Sequence, residues 1–162
     1  MKLLVRIESI ALLVSCCLFL PACNGRIYSP GQNLFTQAIS PRSQWTAGGN
    51  LRDPGKAVDG DINTAAVAAV GSANATLVID LGKVCHLNMI VVEHGLDEYG
   101  YCRELLAEIS DDGEVWYQQT RAPGLRRVTN ILLETQGLAR YIRLRVVTPG
   151  SRDWSVAEIY IN

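Results

Sequence analysis

Leu105-Leu106-Ala107-Glu108-Ile109-Ser110-Asp111-Asp112-Gly113-Glu114-Val115-Trp116-Tyr117-Gln118 reads as a strand, a tight turn and a second strand. Asp-Asp-Gly supplies side chains that bond their own backbone and a glycine free to take positive φ, and apolar residues flank it on both sides. The same punctuation recurs outward from this point. Thr76–Gly82, Leu87–Glu93, Val128–Leu133, Arg140–Val147 and Ser155–Ile161 are short β-branched or aromatic runs bounded by Gly, Asp, Asn or Pro. In Arg140–Val147, Arg143 and Arg145 share one side and the apolar residues the other, so one face is wet. No long segment carries apolar residues at helical spacing. About seven such strands predict an all-β, two-sheet sandwich rather than an α/β domain.

The N-terminus has a different character. Lys2 and Arg6 precede an apolar run from Ile10 to Leu20, shorter than the roughly 20 residues a spanning helix needs. It reads as a signal peptide over residues 1–22. Leu20-Pro21-Ala22-Cys23 resembles the bacterial lipobox, which makes Cys23 the lipidated first residue of the mature chain. An ordinary secretory cleavage is the alternative. At about 0.8 kcal/mol per buried methylene, several acyl chains hold a protein at a lipid bilayer. Asn24, where an aspartate would favour retention at the inner membrane, points to the outer membrane if the source is a diderm bacterium. Residues 23–33 form a polar, Gly- and Pro-containing linker, and residues 34–162 the single domain.

Removing residues 1–22 takes away Lys2, Arg6 and Glu8 and shifts the formal charge from −1 to −2. Near balance argues against nucleic acid as a partner. Of the five cysteines only Cys85 and Cys102 remain once Cys16, Cys17 and Cys23 are accounted for. In an oxidising compartment they are either bridged or separate buried thiols, and spacing does not decide between these.

Four ordered segments resemble the discoidin family, the coagulation-factor type C domains, which are similar to family-32 carbohydrate-binding modules. They are Ala57-Val58-Asp59-Gly60-Asp61-Ile62-Asn63-Thr64, Leu77–Gly82, Ile109–Trp116, and Arg140–Leu144 with Ala157-Glu158-Ile159. The resemblance covers roughly residues 34–162 and implies an eight-stranded antiparallel jelly-roll sandwich of the galactose-binding-like type. One departure stands out. The first motif normally runs on to a tryptophan, whereas here Thr64 is followed by Ala65-Ala66-Val67-Ala68-Ala69-Val70, either a repacked core or a looser loop.

The resemblance also implies sites. Many carbohydrate-binding relatives hold a structural calcium between the Asp-Gly-Asp loop and a C-terminal glutamate, which here makes Asp59, Asp61, Thr64 and Glu158 the candidate ligands. The alternative is a turn whose carboxylates cap backbone N–H groups. Ligands of such modules contact end loops through an aromatic ring and nearby polar side chains, for which Trp45, His94, Tyr99, Arg126 and Trp154 are the candidates. Trp45 is the most attractive because its surroundings are polar and Gly-rich, whereas Trp154 also suits a core or rim position and Trp116 a packing one. No Gly-x-Ser-x-Gly elbow, His-Glu-x-x-His pair or phosphate-cradling loop is present. The expectation is therefore a non-catalytic envelope lipoprotein that binds glycan. A protein-interaction or structural module of an envelope complex, docking on a cell-surface protein, is the alternative.

Overall fold

The computed structural model describes residues 38–162. The signal peptide, Cys23, the linker and the first residues of the domain lie outside the described residues. Eight strands follow in order: β1 Thr46–Gly49, β2 Ala66–Ala68, β3 Thr76–Glu93, β4 Glu104–Ser110, β5 Tyr117–Pro123, β6 Val128–Thr148, β7 Trp154–Val156 and β8 Glu158–Ile161. Every pairing is antiparallel. The large sheet runs β1-β3-β6-β4-β5 with β8 on the far half of β3, and β2 pairs β7 in a second sheet. This is the expected jelly-roll β-sandwich.

Two pairs of expected strands are fused. Thr76–Gly82 and Leu87–Glu93 are halves of β3, and Val128–Leu133 and Arg140–Val147 are parts of β6. An 18-residue strand kept straight would be roughly 60 Å long. Register shifts between Asp80 and Cys85 and between Leu87 and Met89 interrupt it, and such irregularities bend a strand. Accordingly Leu77, Ile79 and Leu81 from its first half and Leu87, Ile90 and Val92 from its second bury into one core cluster. Ile142, Leu144 and Val146 join them from β6, leaving Arg143 and Arg145 on the other face around Glu108. Each fully buried aliphatic side chain contributes roughly 1.5–3 kcal/mol.

Conversely, the expected strand Ser155–Ile161 is split. Ala157 lies between β7 and β8 and donates its N–H to Glu93 O at 2.8 Å, so the chain leaves β2 and moves onto β3 at this corner. The Asp111–Gly113 turn forms as expected: Asp112 Oδ1 accepts the N–H groups of Glu114 and Val115 at 2.8 and 2.9 Å. These bonds hold its carboxyl below the usual range. Trp116 remains in the turn rather than starting the strand, its indole N–H on Gly113 O at 3.1 Å and Arg143 4.1 Å above its ring.

The alanine-rich run is part core and part surface, with Val70 59 % exposed. Ala66 and Ala68 are buried in β2, and Trp154 stands opposite Ala68 on β7 with only 3 % of its surface exposed. Cys85 and Cys102 are buried free thiols, not a bridge.

Candidate functional site

Three connecting segments, 94–103, 124–127 and 149–153, meet at one end of the sandwich, and His94 ties them together. Its Nδ1 lies 2.7 Å from Ser155 O and its Nε2 2.9 Å from Thr129 Oγ1. A carbonyl only accepts, so Nδ1 carries the proton and the Thr129 hydroxyl donates to Nε2. Thr129 Oγ1 in turn accepts the Leu125 N–H at 2.9 Å. Burial pushes the His94 pKa below its ordinary 6.5 and keeps the ring neutral. The following residue, Gly95, has φ +73°, and a Cβ there would sit 2.7 Å from Ala157 Cβ, so only glycine lets the loop pass.

The exposed part of this end is a stack around Tyr99. Arg126 and Arg152 lie over its ring, 4.6 and 5.5 Å from the centroid. Each is also neutralised: Arg126 by Glu98, which raises its pKa, and Arg152 by Asp97 at 3.4 Å. A sugar stacking on Tyr99 would have to displace a guanidinium that already makes a cation–π contact and an ion pair.

Beside Arg152 the surface opens into a cleft of about 420 Å³, walled by Val67, Ala68 and Ala69 and rimmed by Asn50, Arg52, Ser72 and Asp153. That volume suits a small ligand. The small side chains of the alanine-rich run leave the hollow, and fixed backbone frames it. Arg52 and Val67 exchange N–H···O bonds of 2.9 and 3.1 Å. Asn50 Oδ1 accepts from Thr76 N at 2.7 Å while its Nδ2 donates to Asn74 O at 3.2 Å. Asp153 Oδ1 accepts the Val70 N–H at 2.6 Å. Asp153 Oδ2, the Ser72 hydroxyl, one Asn50 N–H and the Arg52 guanidinium are left to serve a ligand, since among the described residues nothing pairs with the Arg52 side chain.

The family described as F5/8 type C domain matches residues 36–159, most of the chain. This chain belongs to the F5/8 type C domain family. Solved structures agree on the fold. The domain is similar to the family-32 carbohydrate-binding module of Clostridium perfringens NanJ in complex with galactose, with a TM-score of 0.67, 20% identity, and coverage of 77% of this chain and 97% of that one. A second module from Clostridium perfringens, in complex with GalNAc-β-1,3-galactose, gives a TM-score of 0.65 at 16% identity, covering 75% and 96%. The chitosan-binding module 1 of a Paenibacillus sp. IK-5 chitosanase/glucanase gives 0.60 at 20% identity, covering 80% and 98%. No curated protein matches the chain.

In this F5/8 type C domain the Asp-Gly-Asp loop closes onto β8. Gly60 donates its N–H to Glu158 Oε1 at 2.6 Å, and Arg42 pairs with Oε2 of the same carboxylate while donating to Ile159 O at 3.0 Å. Asp59 Oδ2 lies 2.7 Å from the Thr64 hydroxyl, and Asp61 O lies 3.2 Å from it. Both are hydrogen bonds donated by the Thr64 hydroxyl; the three oxygens they gather are of the hard type calcium takes, but fall short of the roughly six to eight it needs. The Asp61 carboxylate is turned away onto the Asn63 backbone and side-chain amides at 3.0 and 2.8 Å, which leaves its carbonyl as the donor. The bonds from Asp61 N and Thr64 hold the Asp59 carboxyl below its usual value. Among the described residues no three His, Cys, Asp or Glu side chains converge.

The structure separates the five expected ligand contacts. Tyr99 and Arg126 are exposed together at the loop end. His94 and Trp154 are interior residues of the same end, 1 % and 3 % exposed, and present no face to a ligand. Trp45 is a packing residue: its indole N–H lies 2.9 Å from Ser40 Oγ, its ring packs on the core, and Arg42 lies over it at 5.3 Å. Sequence reasoning passed over the cleft residues. Asn50, Arg52, Ser72 and Asp153 belong to no motif, and the one signal was the alanine run that replaces a bulky ring.

Proposed function

We propose that this chain is a non-catalytic, lipid-anchored cell-envelope protein whose F5/8 type C domain binds glycan in the cleft beside β2 and β7. The observation that carries the proposal is the set of unspent polar groups, from Arg52, Ser72, Asp153 and Asn50, around a hollow framed by fixed backbone. Polar groups held in place before the ligand arrives lose little entropy on binding. The galactose- and GalNAc-containing complexes of its structural neighbours support a saccharide as the ligand class. The non-catalytic reading is supported by what has happened to the reactive groups. His94 is neutral and locked between Ser155 and Thr129, and burial pushes the Cys102 thiol up to about 12.

A calcium ion belongs to the same proposal as a structural element. Asp59 and Thr64 side chains with the Asp61 carbonyl would hold it, and Glu158, whose oxygens accept from Gly60 and pair with Arg42, would join them only by exchanging Arg42 for the ion. The lipobox ending at Cys23 supports the bilayer anchor, and Asn24 after it supports the outer membrane if the source is a diderm bacterium. A protein partner is the second reading, favoured by Leu96 and Leu125, which are 82 % and 50 % exposed on the loops of the His94 end. A glycan-array screen of the purified mature protein tests the proposal. Selective binding that Asp153→Ala abolishes is expected, whereas silence across the array would turn the search to an envelope protein, to be sought by crosslinking.

A further inference from the structure

Resting on the cleft as the glycan site, we infer that its ligand is an acidic saccharide, with the sugar carboxylate seated on Arg52 and a ring hydroxyl donated to Asp153. No aromatic ring lines the cleft. The stacking that usually dominates sugar recognition is missing there, and recognition falls to charge and hydrogen bonds. The two arginines at the neighbouring Tyr99 stack already have partners, Glu98 and Asp97. Among the described residues the Arg52 guanidinium has none, although its backbone is fixed by the bridge to Val67.

A guanidinium offers two parallel N–H donors, which a carboxylate matches better than any neutral sugar group does. Asp153 sets the second condition. With Oδ1 held by the Val70 amide, its free Oδ2 is an acceptor fixed in place for a hydroxyl. A neutral hexose would satisfy Asp153 and leave the charge of Arg52 unanswered. An amino sugar would pair with Asp153 but leave the two parallel N–H donors of Arg52 to single hydroxyl oxygens, which match them less well than a carboxylate does. A uronate with free hydroxyls satisfies both groups.

Galacturonate oligomers and their methyl esters differ only in the carboxylate, which makes them the probes for calorimetric titration of the mature protein, with a neutral galactan oligomer as the third. The free acid is expected to bind, with methyl esterification and Arg52→Gln each weakening it about tenfold or more, the order of one charged hydrogen-bonded contact. Circular dichroism of the Arg52→Gln variant should be unchanged, because only an exposed side chain is altered. Ester or neutral oligomer binding as tightly as the acid, or Arg52→Gln binding unchanged, would overturn the acidic ligand and leave the glycan site standing. If none of the three oligomers bound, and the array were silent too, the glycan reading itself would fall.

Discussion

Acidification from about pH 7.5 to 5 should weaken this fold through His94. The imidazole is 1 % exposed and its pKa is lowered by burial from the ordinary 6.5. Below 6.5 the unfolded chain takes up a proton that the folded chain refuses until a lower pH. The contribution of neutral His94 is therefore complete above 6.5 and declines as the pH falls towards the folded value. One proton sets the limit at about 1.4 kcal/mol per pH unit, large against a total stability of roughly 5–15 kcal/mol. Carboxylates act elsewhere on the scale. Asp59, Asp80 and Asp112 are lowered from 3.8, by the Asp61 backbone N–H, Arg140 and the Val115 N–H respectively, so their contributions are lost only at lower pH. Urea unfolding followed by tryptophan fluorescence at several pH values between about 5 and 7.5 reads the slope directly. His94→Gln retains an amide for Ser155 O and Thr129 but cannot titrate, and its stability should be flat over the same range. A wild-type midpoint that does not move, or a variant that keeps the wild-type slope, would refute the reasoning.

Trp45→Ala should destabilise the domain by about 2–4 kcal/mol in urea unfolding, because the ring packs on the core and its N–H is spent on Ser40, and glycan affinity per folded molecule should not change. A chelator should lower the melting temperature by several degrees, the size expected for a bound ion at concentrations well above its Kd, and Glu158→Gln should abolish that response. An unchanged melting curve would leave the capped turn as the better account of Asp59 and Asp61. Cys23→Ser should move the protein from the membrane fraction to the soluble one, and continued membrane retention would count against the lipid anchor.

The sandwich was legible because its strands bury alternate residues in a common core, a pattern that Arg140–Val147 displays along a single run. β1 and β2 escaped notice for the same reason. Thr46-Ala47-Gly48-Gly49 and Ala66-Val67-Ala68 are too short and too small to show a period. The fusion of strands into β3 and β6 depends on irregular register and leaves no mark on composition. At the site, residue type suggested aromatic rings and histidine, but type does not say which side of a loop a ring occupies. His94 and Trp154 turned inward and Tyr99 outward from neighbouring segments. Arg52 was invisible because its interest lies in the lack of a partner, which only three dimensions reveal.

The central claim, a saccharide site in the cleft, is tested most directly by mapping amide chemical-shift changes while an array-positive saccharide is titrated into isotopically labelled protein. The account predicts that the shifts gather at Asn50–Arg52, at residues 67–75 and at Asp153. Shifts confined to the Tyr99 loops or to the opposite end of the sandwich would contradict it.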